Sequence, residues 1–190
     1  MHCSPFVVAG LLAAVLAVPQ DPQPQPAPPP GPPATIARPV AAVADVASID
    51  ALVTALYAAI SGPKGQARDW NRVRSLFHPD ARLVPMVATK DGMQTRVLTI
   101  EDYVRRSGPM LERDGFFEQE IARRVETFGD FAHVWSTYEA RRALADAKPL
   151  LRGINSIQLV RQGGRWHVLQ ILWEQEADAG PIPAQYLPAK

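Results

Sequence analysis

The sequence predicts an α+β fold in which three N-terminal helices pack on a curved antiparallel sheet and form an open cone. Apolar residues recur with helical spacing in the first half of the folded region. After Gly115 they alternate with a period of two, as in strands that bury one face. Helices followed by a run of antiparallel strands are typical of an α+β domain.

The three predicted helices have clear start and stop signals. Ser48 can cap the first helix and Ser61-Gly62-Pro63 ends it, while Asp69 can cap a short second helix that ends at His78-Pro79. Thr99 to Asp102 resembles a capping box that opens the third helix, and Pro109 is expected to kink or end that helix. The apolar face of the first helix comprises Ile49, Leu52, Val53, Leu56, Tyr57 and Ile60.

Six segments are predicted to be strands. Two form a hairpin around Lys90-Asp91-Gly92, and four longer ones follow, with tight turns at Gly129-Asp130 and Gln162-Gly163-Gly164. The predicted ranges are 81–88, 93–98, 116–128, 131–142, 150–161 and 166–176.

The N-terminus predicts an exported protein, secreted or periplasmic. Residues 1–17 read as a signal peptide, because Phe6 to Val18 is an apolar run of thirteen residues followed by a proline. The leader lacks Lys and Arg, so an uncleaved N-terminal anchor is the alternative. Residues 18–45 form a Pro-rich linker, 46–177 the domain and 178–190 a C-terminal tail. No other segment is apolar enough to span a membrane.

Charge and cysteine content exclude several classes. The chain has a formal net charge of +1 and its arginines are scattered, which argues against a nucleic-acid partner. Its only cysteine, Cys3, lies in the predicted signal peptide, so the mature protein would have no disulfide or cysteine metal site. The histidines lack metal-ligand spacing and there is no phosphate-binding glycine loop, so no metal or other cofactor is expected.

Three segments carry a family resemblance: the first helix, the stretch Asp69-Trp70 with Leu76 to Leu83, and the closing Gly164 to Trp173. They are similar to the nuclear-transport-factor-2-like superfamily, which includes SnoaL-like cyclases and ketosteroid isomerases. The resemblance covers about residues 46–176. It implies the open-cone fold but no particular reaction. Ketosteroid isomerases carry a catalytic carboxylate on the first strand, and residues 81–86 contain no Asp or Glu. The resemblance also implies that Asn155 and Tyr57 occupy positions where that family stabilises an oxyanion.

Several residues are candidates for a site. His133 and Glu139 share one face of a strand and are candidate acid–base groups, although a solvated or dimer-facing surface explains the same pattern. Asn155 is the third catalytic candidate, as a hydrogen-bond donor to a developing oxyanion. The predicted ligand pocket comprises Tyr57, Trp70, Trp135, Asn155 and Trp173.

Three functions stay open at this point. The first is a domain that binds a small apolar molecule without established catalysis. The second is a cofactor-independent SnoaL-like cyclase or isomerase, and the third is a non-catalytic dimeric interaction module. Aromatic residues on both faces of the strands also predict a homodimer through the outer face of the sheet.

Overall fold

The computed structural model of the protein describes residues 38–189, so the predicted signal peptide and most of the predicted linker lie outside the described residues. Within the described range, no helix is long and apolar enough to cross a membrane. The helices are α1 (Val43–Val46), α2 (Ile49–Ile60), α3 (Trp70–Leu76), α4 (Ile100–Asp114) and α5 (Glu176–Ala179), with a 3₁₀ turn at Ala184–Tyr186.

Six strands form one mixed sheet in the order β2-β1-β6-β5-β4-β3, which confirms the α+β class. The strands are β1 (Phe77–Thr89), β2 (Gly92–Thr95), β3 (Phe117–Phe128), β4 (Phe131–Arg141), β5 (Leu151–Gln162) and β6 (Arg165–Gln175). All neighbouring pairs are antiparallel except β1 and β6, which are parallel. The sequence predicted an antiparallel sheet, because tight turns between consecutive strands give only antiparallel pairs. The parallel pair joins β1 and β6, the first and last long strands, which no turn connects.

The predicted helix caps are confirmed. The side chain of Ser48 accepts from the backbone N–H of Ala51, and that of Asp69 accepts from Arg72. Thr99 and Asp102 form a reciprocal capping box. Pro109 does not end α4, which continues to Asp114. The helix can continue because a proline removes only its own N–H donor, so the turns after Pro109 keep their hydrogen bonds.

Two strand boundaries differ from the prediction by more than one residue. β1 begins at Phe77, before Pro79, and the register with β6 shifts between Phe77 and Arg82, so an irregularity accommodates the proline there. β2 ends at Thr95, although Leu98 still pairs with Leu83 in an isolated bridge. The turn at Gly163-Gly164 has both residues at positive φ, 60° and 78°, as a two-residue hairpin of this hand requires.

The core lies between α2, α3 and the inner face of the sheet. On β4 this inner face carries Ala132, Val134, Ser136, Tyr138 and Ala140, all of which are buried. On β5 it carries Gly153, Asn155, Ile157 and Leu159. The outer face of β4 therefore carries the alternate residues, including His133, Trp135 and Glu139.

The C-terminal segment folds over part of this outer face. The ring of Tyr186 stacks on Trp135 with the centroids 5.4 Å apart, and Thr137 Oγ1 donates to the Tyr186 carbonyl oxygen at 2.6 Å. Thr137 is consequently only 1% exposed although it lies on the outer face. The segment predicted to be a tail thus covers the middle of β4.

Candidate functional site

A cavity of about 190 Å³ lies between α2, α4 and the inner face of the sheet. Its walls are mostly apolar and aromatic, and four polar residues reach it. The aromatic lining residues are Tyr57, Phe77, Tyr103, Phe116, Tyr138 and Trp173. The aliphatic lining residues are Leu56, Ile60, Val73, Leu83, Leu111, Leu151 and Ile171, and Met110 also lines the cavity. The polar ones are Ser107, Glu118, Asn155 and Gln175. An apolar space with a few converging polar groups is the usual form of a small-molecule site.

A chain of hydrogen bonds leads from the cavity to the protein surface. The Asn155 side-chain amide donates to the Tyr57 hydroxyl at 3.0 Å, and the Tyr57 and Ser136 hydroxyls are 2.6 Å apart. Ser136 in turn donates to Glu120, which is paired with Arg123 at 2.5 Å. The helix α2 and the strands β3, β4 and β5 each supply members of this chain.

The direction of the chain follows from its ends. Because Ser136 gives its only proton to Glu120, Tyr57 has to donate to Ser136 and to accept from Asn155. The Asn155 amide nitrogen also lies 3.4 Å from Glu118 Oε1, so both of its hydrogens have protein acceptors. Tyr57 and the Asn155 amide are therefore already used within the protein. Neither has a free proton for a ligand oxygen.

Glu118 is the group that the sequence analysis missed. It lies at the start of β3 on the inner face, and its carboxyl faces the cavity. Burial raises its pKa to about 8, and the hydrogen bond from Asn155 only partly offsets this effect. The sequence did hold a signal, since Glu118 is two residues from Phe116 and period two places both on one face.

Two phenols complete the polar end of the cavity. Tyr103 on α4 and Tyr138 on β4 both lie close enough to Glu118 for its charge to act on them. Burial is the main cause that raises the pKa of each phenol, so both stay protonated at physiological pH. Neither hydroxyl has a hydrogen-bond partner among residues 38–189. Both are available to a bound molecule.

The predicted pocket residues separate into two groups. Tyr57, Asn155 and Trp173 line the cavity. Trp70 does not line it, because its ring packs edge-on against Tyr103 at 6.5 Å between α3 and α4. Trp135 does not line it either, because it points to the outer face, where Tyr186 covers it.

The candidate acid–base pair lies away from the cavity. His133 and Glu139 are on the outer face of β4, whereas Asn155 is on the inner face of β5. His133 Nε2 is 2.9 Å from Ser156 Oγ, and Glu139 pairs with Arg141 at 2.5 Å. The hydrogen bond from Arg141 lowers the pKa of Glu139, which makes that carboxylate a weak base. The structure does not bring these two residues together with Asn155 and Tyr57.

Within the described residues, no group of three or more His, Cys, Asp or Glu side chains is arranged to hold a metal ion. No protein-family model and no curated protein matches the sequence.

Several solved structures are similar to this domain. An NTF2-like protein of unknown function from Pseudomonas putida is 14% identical with a TM-score of 0.52, and the match covers 78% of this chain and 95% of that one. A protein of unknown function with a cystatin-like fold from Nostoc punctiforme is 15% identical with a TM-score of 0.51, over 67% of this chain and 87% of that one. LinA is 14% identical with a TM-score of 0.50, over 68% and 84%. The domain therefore has the nuclear-transport-factor-2-like fold, also described as cystatin-like.

Proposed function

We propose that the domain binds a small, largely apolar molecule in the cavity of its cone. The observation that carries the proposal is the combination of a cavity of about 190 Å³ with a single carboxyl group at its polar end. Six aromatic rings supply apolar contact area. Glu118, Tyr103 and Tyr138 supply polar atoms whose capacity for hydrogen bonds is not filled by other described residues. A core built only for stability would fill such a space with side chains.

Binding can be tested with cyclohexylmethanol as the probe. We expect it to shift the NMR signals of the Asn155 side-chain amide and the Trp173 indole, because both residues line the cavity. Leu151→Trp should fill the cavity and abolish these shifts. Leu150→Trp is the matched control, since Leu150 is 50% exposed and is not among the lining residues. Identical shifts in both variants would contradict binding in the cavity.

A cofactor-independent acid–base enzyme is the second candidate, and Glu118 favours it. A carboxyl with a pKa of about 8 can hold or release a proton near physiological pH, as proton transfer to or from a substrate requires. Glu118 would take the role that the sequence analysis gave to His133 or Glu139. Cyclohexanone in deuterated water tests this candidate. Exchange of its α-protons above the buffer rate, lost in Glu118→Gln, is expected, and a rate equal to that of buffer would contradict it.

Export is a separate proposal that rests on the N-terminal sequence. The apolar run Phe6 to Val18 has the length of a signal-peptide core and the proline-rich stretch after it suits a spacer. We expect the exported protein to begin near Val18. Mass spectrometry of protein recovered outside the cytoplasm should show this mass, and an intact Met1 would contradict cleavage.

A further inference from the structure

The carboxyl of Glu118 lacks a positively charged partner in the described part of the chain. Its one hydrogen bond comes from the neutral amide of Asn155, at 3.4 Å. The residues that line the cavity include no Lys, Arg or His. The nearest arginine in the hydrogen-bond chain, Arg123, is already paired with Glu120 and Asp50. A carboxylate that faces an apolar cavity without a cation is costly, so this position gains most from a cation that arrives with the ligand.

The surroundings of Glu118 suit an ammonium group. Tyr57, Tyr103 and Tyr138 all lie near the carboxyl, and the faces of aromatic rings attract cations. An ammonium group carries three N–H donors. The Glu118 carboxylate and the phenol oxygens of Tyr103 and Tyr138 offer three acceptors. A ligand carboxylate, by contrast, would find no cation here, and it would be repelled once Glu118 ionises.

We propose that the ligand of this cavity is an organic amine, whose ammonium group pairs with Glu118 while its apolar body lies among the aromatic rings. This inference rests on the proposed function, because it concerns the same cavity. It adds the charge of the ligand, which the fold alone does not indicate.

Proton linkage follows from the pairing. At neutral pH Glu118 holds its proton, since burial raises its pKa to about 8. An incoming ammonium ion has to displace that proton, so amine affinity should rise with pH between 6 and 8. The groups that face Glu118 from α2, α4 and β4 are Tyr57, Tyr103 and Tyr138, and burial raises the pKa of each. On β3 itself, Glu120 lies on the same face and is paired with Arg123. Asn155 on β5 and Trp173 on β6 do not titrate.

Three probes with the same ring test the charge of the ligand: cyclohexylmethylamine, cyclohexylmethanol and cyclohexanecarboxylate. At pH 8 we expect the amine to bind at least about tenfold more tightly than the alcohol, the usual gain from a charge-assisted hydrogen bond. The carboxylate should bind most weakly. Amine affinity should fall on going from pH 8 to pH 6, and alcohol affinity should stay constant.

Glu118→Gln is the matched variant, because glutamine keeps the shape of the side chain and removes its charge. In this variant the amine should lose its advantage over the alcohol, measured in the same variant, and its pH dependence. An alcohol that binds wild-type protein as tightly as the amine does, or an amine preference that survives in Glu118→Gln, would overturn the cation inference and leave the proposed function standing. Failure of all three probes to bind the wild-type cavity would count against both.

Discussion

Asn155 donates a hydrogen bond to the Tyr57 hydroxyl at 3.0 Å and thereby orients a chain of polar groups that ends at Glu120 and Arg123. The resemblance implied that these two residues could donate to an oxyanion. Their protons are instead used within the protein. Consequently the polar lining groups left for a ligand include Glu118 and the two phenols Tyr103 and Tyr138.

Asn155→Leu should lower the free energy of unfolding by about 1–3 kcal/mol, because the amide is 7% exposed and has two partners. Tyr57→Phe removes the other end of the same hydrogen bond. In a double-mutant cycle measured by urea unfolding, we expect a coupling of about 1 kcal/mol. Strictly additive effects would show that the Asn155–Tyr57 bond contributes nothing.

The helices and the long strands were predictable because their signals are local. Ser48, Asp69 and Thr99 mark helix starts by residue type, and alternation marks β3 to β6. The parallel β1–β6 pair was not predictable, because no turn joins those strands. The course of the C-terminal segment was not predictable either, because the contact of Tyr186 with Trp135 joins positions far apart in the chain.

The candidate site was predicted only in part. Alternation places Asn155 with Ile157 and Leu159 on one face, but it cannot say which face of the neighbouring strand lines the cavity. His133 and Glu139 were chosen from the outer face of β4 for that reason. Glu118 was missed because a glutamate in a strand usually faces water, and its burial depends on α2 and α4 closing over it.

Glu118 should make stability fall as pH rises. Its folded-state pKa is raised to about 8 from an ordinary value of 4.5, so between these values the folded protein holds a proton that the unfolded chain has lost. Unfolding free energy therefore decreases across pH 4.5–8, by at most about 1.4 kcal/mol per pH unit from this group. Urea unfolding of the wild type and of Glu118→Gln at pH 5 and pH 8 tests this. The free energy of unfolding of the wild type minus that of the variant should be smaller at pH 8 than at pH 5. A difference independent of pH would contradict the burial of this carboxyl.

Arg68 should be a main contributor to stability. It is 6% exposed and donates to the carbonyl oxygens of Ile60, Gly62 and Leu111 at 2.9, 2.7 and 2.9 Å, which joins the end of α2 to α4. Arg68→Met would remove all three bonds and would leave the carbonyls of Gly62 and Leu111 with only their backbone donors, Phe116 and Gly115. We expect a loss of more than about 3 kcal/mol in chemical unfolding. Arg74→Met, which breaks a partly exposed pair with Glu101, is the control and should cost less than about 1 kcal/mol. Equal losses in the two variants would refute this role.

We still expect a homodimer through the outer face of the sheet, and the structure narrows the surface available for it. Tyr186 covers Trp135, whereas Phe128 and Phe131 at the β3–β4 turn are 77% and 52% exposed. Exposed aromatic pairs of this kind are typical of contact surfaces. Sedimentation at tens of micromolar, the order of magnitude for such interfaces, should give a dimer that Phe131→Glu dissociates. Val97→Glu, at an exposed site elsewhere, should leave the dimer intact. A wild-type monomer would contradict the prediction.

A titration of Glu118 shows whether the cavity has a desolvated carboxyl at its polar end. Carboxyl ¹³C NMR of the free protein should give this residue a pKa of about 8, because its carboxyl is desolvated at the polar end of the cavity. Saturation with cyclohexylmethylamine should then lower that pKa, since the bound ammonium group favours the carboxylate. A pKa near the ordinary 4.5 in the free protein, unchanged by the amine, would show that Glu118 is solvated and that the cavity does not have the polar end described for it.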